Sequence, residues 1–387
     1  MAADALLGRR LDGYTLEARI GTGATGHVYR ASHPEQPGPV AVKVLNEGVG
    51  RIRSLRRRFQ REARALGALE HPHVVKTFGF GVVDEDIVYI AMELLEGCTL
   101  EDTLQERALA PEEALTLMDP VLSGVACAHE QQIVHRDLKP ANVFLDERGE
   151  GPPHVTLLDF GLAKFLEVDA MSGEGALTRK GRVVGTPAYM APEQITGVSL
   201  DVRADVYALG VLFFELLADR RPFDYARRSE LLRAHLFEPV PALAEVRPGL
   251  EVHPAVEALL RRALAKDPDD RFPDAGAMRE ALLALPDDAV SLRPSQEGHE
   301  VPRSRTGTSS VVISAEERAE LSDESGPWAP LPTESGEANA PTADSPAETA
   351  AVPPQDDRSA WLTGALWALG LAGLGALVAV AVYATTL

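Results

Sequence analysis

The stretch "IVHRDLKPANVFL" crowds His135, Arg136, Asp137, Lys139 and Asn142 into eight consecutive positions. Shortly after it, "HVTLLDFGLAKF" sets Asp159, Phe160 and Gly161 behind a short apolar run. A carboxylate that can take a hydroxyl proton, two oxygen donors for a hard divalent cation and a lysine for a phosphate are what phosphoryl transfer asks of a protein. That chemistry is mostly positioning and charge neutralisation around an in-line displacement. Taken singly, Asp137 or Asp159 could be an ordinary cap or turn residue. Together, in this order and spacing, a chance reading is negligible.

Such side chains need elements to hold them, and the upstream sequence supplies them. In "YTLEARIGTGATGHVYRAS" polar and apolar residues alternate from Tyr14 to Ile20, glycines fall at 21, 23 and 26, and alternation resumes at Val28. The pattern predicts strand, glycine-rich turn, strand. A lone GxGxxG is a weak signal, but here it opens a strand, which disfavours a dinucleotide-binding turn that would open a helix. Glycines let the backbone close over phosphates that a Cβ would obstruct. Next, "PVAVKVL" predicts a buried strand with one lysine, Lys43, which is costly unless an anion meets it. Leu55, Phe59, Ala63, Leu66 and Leu69 have helical spacing, with Pro72 ending the helix. Glu62 borders that stripe and is expected to point inward. The seven arginines from Arg51 to Arg64 are most simply a solvated helix face, and a receiver for a phosphorylated loop is the sharper alternative.

Composition then divides the chain. Among 387 residues, 58 Asp and Glu outweigh 38 Lys and Arg, for a formal charge of −20. No basic footprint exists, so nucleic acid is not an expected partner. Two cysteines, Cys98 and Cys127, with no CxxC pair, argue against a disulfide scaffold or a zinc site. The first residues contain no apolar signal segment. From 286 to 358 the sequence is rich in Pro, Ser, Thr, Glu, Ala and Gly, with 15 acidic residues, 5 arginines and no lysine. Such a segment cannot bury enough apolar surface to offset ordering, so a disordered tether is expected. Within it, "VPRSRTGTSSVVIS" stands out by clustering hydroxyls beside Arg303 and Arg305. Residues 359–387 hold an uncharged run from Trp361 to Tyr383, which predicts a single transmembrane helix bracketed by interfacial aromatics. Arg358 before that run, with no positive charge after it, predicts a cytoplasmic N-terminal part. Only four residues follow Tyr383, so no extracellular ligand-binding domain is expected.

Residues 14–285, about 70% of the chain, resemble a eukaryotic-type (Hanks-type) Ser/Thr protein kinase domain of the kind also common in bacteria. The motifs that carry the resemblance are "GTGATGHV", "VAVK", "HRDLKPAN", "DFG" and "APE". It implies an α+β, bilobal fold, with a small antiparallel β lobe carrying one helix to about Leu95 and a larger helical lobe from Glu96. It implies ATP and Mg²⁺ (Mn²⁺ as an alternative ion), and transfer of the γ-phosphoryl group to protein Ser or Thr hydroxyls. By the resemblance, Ile20, Gly21, Gly23, Gly26, Val28 and Ala41 would enclose ATP, with Met92 as gatekeeper and Glu93 and Leu95 as hinge. Lys43 would hold phosphates and pair with Glu62, Asp137 would be the base beside Lys139, and Asn142 and Asp159 would bind the metal. Glu193 with Arg271, and Asp205, match structural positions. Thr178 is the expected activation-loop phosphorylation site, with Ser172 second and Arg136 as receiver, while Thr186 resembles a threonine that contacts Asp137 and Lys139.

A membrane-bound pseudokinase scaffold is the alternative, and it predicts damage at Lys43, Asp137, Asn142 or Asp159, none of which is damaged. A small-molecule kinase would share the phosphate machinery without reason to keep "GTPAYMAPE". Arginine outnumbers lysine 32 to 6, which points to a GC-rich genome and a bacterial inner membrane. Gly364, Ala368, Ala372 and Ala376 recur every four residues, small-xxx-small spacing that would let the helix form a homodimer.

Overall fold

The computed structural model describes residues 4–23, 26–45, 59, 63–84, 87–146, 153–160, 183–198, 200–286, 288–292 and 311–313. All belong to one compact unit, Met1–Trp328. Glu62, Gly161, Ser172, Thr178 and the expected membrane helix at 359–387 lie outside the described residues. Among the described residues no helix is long and apolar enough to cross a membrane.

The first lobe is a sheet of six strands: β1 (Arg10–Leu11), β2 (Tyr14–Gly23), β3 (Gly26–Ser32), β4 (Val40–Leu45), β5 (Thr77–Val83) and β6 (Ile87–Glu93). Their order is β1-β2-β3-β4-β6-β5, and each neighbouring pair is antiparallel. Strand β4 is central and buried at every position, which explains its unbroken "VAVKVL" run. The helical stretch at 63–67 lies between β4 and β5 in sequence. Phe59 and Ala63 are buried there with Leu45 and Val88, and Phe59 meets the Phe80 ring edge-on at 6.0 Å. Phe59, Ala63 and the partly buried Leu66 belong to the stripe the spacing predicts, Leu69 packs in the helical core instead, and Leu55 lies outside the described residues.

The second lobe is mainly helical. Helix α1 (Leu100–Glu106) starts from a reciprocal cap, Thr99 with Asp102. Then come α2 (Pro111–Glu130), α3 (Pro192–Thr196), α4 (Arg203–Ala218), α5 (Arg228–Phe237), α6 (Leu243–Val246), α7 (Pro254–Ala263) and α8 (Ala275–Leu283). A small sheet of β7 (Cys98–Thr99), β8 (Val143–Asp146) and β9 (His154–Leu157) packs beside α1. Every residue of α4 from Ala204 to Ala218 is buried, so this helix is the axis of the lobe. The segment just before β5 is tied to β9: Val75 N donates to the Leu157 carbonyl at 3.0 Å and Leu157 N to the His73 carbonyl at 2.9 Å.

Structure continues past the expected boundary at Leu285. Strand β11 (Leu250–Val252) pairs with β12 (Val290–Leu292), and β10 (Val183–Gly185) with β13 (Val311–Ile313). Ala289 and Val290 are buried in the helical core, which gives this short piece of an otherwise polar stretch an apolar surface to join.

Two buried histidines make this fold sensitive to acid. His235 of α5 packs against the Tyr207 and Phe223 rings, and burial, then Lys266 and Arg221, push its pKa down to about 3. Burial also lowers the pKa of His135. Both are lowered, so below the ordinary 6.5 the unfolded chain binds protons that the folded chain refuses, and stability falls with pH. The His235 window runs from 6.5 down to about 3. Each histidine contributes a slope of up to about 1.4 kcal/mol per pH unit. The urea midpoint should therefore drop between pH 7 and pH 5, and an unchanged midpoint would refute the assignment.

Candidate active site

The loop from His135 to Asn142 hangs on one buried carboxylate. Asp205, at the start of α4, accepts from the His135 amide at 2.6 Å and the Arg136 amide at 2.8 Å. It also meets His129 Nε2 at 3.1 Å, and because the Ala275 amide donates to His129 Nδ1, the Nε2 end carries the proton. Burial opposes the charge on Asp205, but the bonds from His129 and His135 outweigh it and hold its pKa below the ordinary value. These bonds support Arg136 in a left-handed conformation, φ 65°. Asp159 is left-handed as well, φ 49°, so two non-glycine residues beside the site occupy a costly region.

Asp137 follows. Its Oδ1 accepts from Thr186 Oγ1 at 3.2 Å and its Oδ2 lies 3.2 Å from Lys139 Nζ. Lys139 Nζ also donates to Thr186 Oγ1 at 3.1 Å, closing a triangle of carboxylate, ammonium and hydroxyl. Asn142 Nδ2 donates to the Asp137 carbonyl at 2.7 Å, and the Asn142 carbonyl accepts from the Leu158 amide at 2.9 Å. His135 Nε2 lies 3.0 Å from the Leu158 carbonyl, and its ring is 4.5 Å from that of Phe160. The two motifs are thereby held as one body.

Lys43 has found its anion. Nζ is 2.6 Å from Asp159 Oδ2, with side-chain exposures of 9% and 34%. The expected partner Glu62 lies outside the described residues, so the observed contact ties β4 directly to the segment after β9. Register places Val28 opposite Lys43, and Ala41 opposite Met92. Val28, Ala41, Met92 and Leu95 share one apolar cluster with Val75 and Leu158. Leu158 was not anticipated, because nothing in a short apolar run says which residue will meet a cluster on another lobe. Glu93 N donates to the Lys76 carbonyl at 2.9 Å. Ile20 stands apart, 51% exposed, one residue before Gly21.

The three loop glycines are not equivalent. A Cβ on Gly26 would fall 2.1 Å from the Val44 carbonyl oxygen, so the sheet itself requires glycine there. On Gly21 the nearest atom would be 3.6 Å away and on Gly23 3.9 Å, both ordinary contacts. The protein gives no steric reason for those two, whereas a phosphate lying close to the backbone does. Gly26→Ala should lower the unfolding midpoint, while Gly23→Ala should leave it unchanged and weaken nucleotide affinity in a calorimetric titration. The reverse ranking would remove the distinction.

Further out, Arg271 and Glu193 form a buried bidentate pair at 2.7 and 2.8 Å. The remaining Arg271 bonds go to the Ala265, Arg203 and Lys266 carbonyls, so all five donors of the guanidinium are used. His129, which orients Asp205, was not singled out from sequence, since a histidine on an apolar helix is usually only a core residue.

Comparison with known proteins agrees with this geometry. A family described as protein kinase domain matches residues 14–282. The chain is 38% identical over 273 residues to the serine/threonine-protein kinase pkn3 of Myxococcus xanthus, covering 70% of this chain and 50% of that one. It is 36% identical over 286 residues to PknJ of Mycobacterium tuberculosis, covering 73% and 47%. PrkC of Bacillus subtilis is 36% identical over 275 residues, covering 70% and 40%. The chain thus spans about half the length of the curated relatives it matches. Among solved structures, the PknI kinase domain of Mycobacterium tuberculosis superimposes with a TM-score of 0.56 at 30% identity, covering 71% of this chain and 97% of that one.

Proposed function

The chain belongs to the protein kinase family, and from that premise we propose that it moves the γ-phosphoryl group of ATP to serine and threonine hydroxyls of proteins while anchored to a membrane. The observation that carries the transfer reading is the triangle of Asp137, Lys139 and Thr186, beside the Lys43–Asp159 contact.

The family works with ATP and Mg²⁺, and the residues fit both. Asp159 offers a carboxylate and Asn142 an amide oxygen, since its nitrogen is engaged with Asp137. Two hard oxygen donors suit an ion that completes its shell with phosphate oxygens and water. Mg²⁺, when bound there, would offset charge developing on the phosphates. Val28, Ala41, Met92 and Leu95 supply an apolar cluster for the base, and Lys43 lies where it can meet phosphate oxygens. Asp137 accepts the acceptor hydroxyl's proton. Lys139 steadies the carboxylate and Thr186 fixes its orientation. In this reading Arg136 receives a phosphate on Thr178 or Ser172 once either is modified.

The membrane half of the proposal rests on the uncharged run from Trp361 to Tyr383. It makes the protein single-pass, with the kinase domain in the cytoplasm at a bacterial inner membrane, and the small-residue face favours a homodimer. The test uses the full chain in membranes, labelled ATP and a generic protein acceptor, followed by phosphoamino-acid analysis. Phosphoserine and phosphothreonine in the acceptor, with the enzyme in the membrane pellet, is the expected result. Labelled small molecules with unlabelled protein would overturn the transfer reading, and recovery in the soluble fraction would overturn the anchor.

A further inference from the structure

Thr186 is held from both sides. On its C-terminal side the Thr186 carbonyl accepts from the Tyr189 amide at 3.0 Å, and Ala188, Tyr189 and Met190 are buried. On its N-terminal side stands β10, which ends at the residue before it. Among the described residues β10 has one strand partner, β13: Val183 pairs with Ile313, Val184 with Val312 and Gly185 with Val311, antiparallel. Strand β13 comes from the polar stretch beyond α8, the last helix of the lobe. The Thr186 hydroxyl donates to Asp137 Oδ1 at 3.2 Å and accepts from Lys139 Nζ at 3.1 Å. Donating to one group and accepting from another demands a fixed place and a fixed direction, and both are met with β13 paired to β10.

We propose that Val311–Ile313 is a positioning strand for phosphoryl transfer. By main-chain pairing with β10 it fixes the chain that enters Thr186, and through the Thr186 hydroxyl it orients the Asp137 carboxylate. The inference rests on the kinase reading above and gives a part in that reaction to a segment beyond the last helix. Strand addition suits the task, because ladder bonds fix the backbone and ask little of the side chains. A free three-residue strand would be too short to stay paired. Here Leu292 is already paired on β11, and only residues 293–310 lie between it and Val311. Strand β13 therefore meets β10 at the high effective concentration of a tethered ligand. When β13 leaves, Thr186 keeps its C-terminal hold alone, and its hydroxyl is free to turn away from Asp137. The base is then present but loosely aimed, so the loss falls on turnover. Nucleotide affinity draws on Lys43 and the apolar cluster of Val28, Ala41, Met92 and Leu95, and is left as it was.

The full chain is assayed with ATP, Mg²⁺ and a generic protein acceptor. Val312→Pro with Ile313→Pro removes two successive N–H donors, one of which faces β10. It should lower kcat about tenfold, the worth of one hydrogen bond to a charged group, with KM for ATP and the unfolding midpoint unchanged. Val311→Thr with Val312→Thr keeps the main-chain bonds and should keep the rate. Val312→Gly with Ile313→Gly weakens the strand without removing a donor, and should lower kcat by a smaller factor. That pair decides the matter if the prolines disturb folding. In a Thr186→Val background the hydroxyl is already gone, so the prolines should cost no more than about twofold further. Amide hydrogen exchange should show protection at 183–185 that the double-proline chain loses. Full or raised kcat in both the proline and the glycine chains would overturn the positioning strand. So would an undiminished tenfold loss from the prolines beside Thr186→Val, since the strand would then act by another route. Either result leaves the kinase reading standing, because the acceptor is labelled. An acceptor left bare by the unmodified chain would remove both readings.

Discussion

Asp137→Asn lowers phosphoryl transfer by a factor of about 10² to 10⁴, the usual contribution of a positioned base, while nucleotide affinity and the unfolding midpoint stay near those of the unmodified chain. Asparagine keeps the shape, and its oxygen can still accept from Thr186, but it cannot take a proton. Its amide nitrogen would also face Lys139 Nζ, which now lies 3.2 Å from a carboxylate oxygen. The three side chains of the triangle act on one atom, so their effects should not add. Lys139→Ala in the Asp137→Asn background should cost far less than Lys139→Ala alone. The measurement is kcat at saturating ATP for both single variants and the double, with thermal melts as the control for folding. Asp137→Asn retaining more than about a tenth of the rate would remove Asp137 as the base.

The largest effect on stability should come from Arg271→Ala. The variant strands the Glu193 carboxylate, whose side chain is only 8% exposed, with no cation beside it. It also abandons the carbonyls of Ala265, Arg203 and Lys266, which now receive charged donors. Breaking one side of a buried pair costs about 3–5 kcal/mol, mostly as the penalty for the charge left behind. Removing that charge as well should recover part of the loss, so Glu193→Gln with Arg271→Met should be more stable than Arg271→Ala. Urea denaturation of the three variants decides the matter. A midpoint for Arg271→Ala within error of the unmodified chain would mean the pair does not hold the helical lobe.

Local chemistry was legible in the sequence because it is written at short range. Asp137, Lys139 and Asn142 lie within six positions, and no packing is needed to see that they would act together. The strands around Lys43 were legible for a similar reason, since the unbroken apolar run of β4 states its own burial. What sequence could not show was which distant residue would close each contact. Lys43 calls for an anion, and two candidates existed in Glu62 and the phosphates; that Asp159 would lie 2.6 Å away depends on how β4 stands over the segment after β9. His129 and Asp205 are 76 positions apart, and only the packing of α2 against α4 makes them partners. The β10–β13 pairing was hidden for a different reason. Its strand is three residues long in a polar stretch, too short for any periodicity to rise above its surroundings.

Asp205 belongs to α4, the helix buried along its length from Ala204 to Ala218. Its two bonds to the His135 and Arg136 amides therefore fasten the catalytic loop to the last part of the molecule to come apart. Those two amides cannot exchange with solvent deuterium until α4 itself is exposed, so their protection should equal that of the slowest core amides. The described part of the glycine-rich loop is held by the β2–β3 ladder at the edge of the site, and its amides should exchange through local fluctuation. The enzyme would then present a fast-breathing roof over a floor that opens only with global unfolding. Nucleotide binding should slow exchange in the roof and leave the floor as it was.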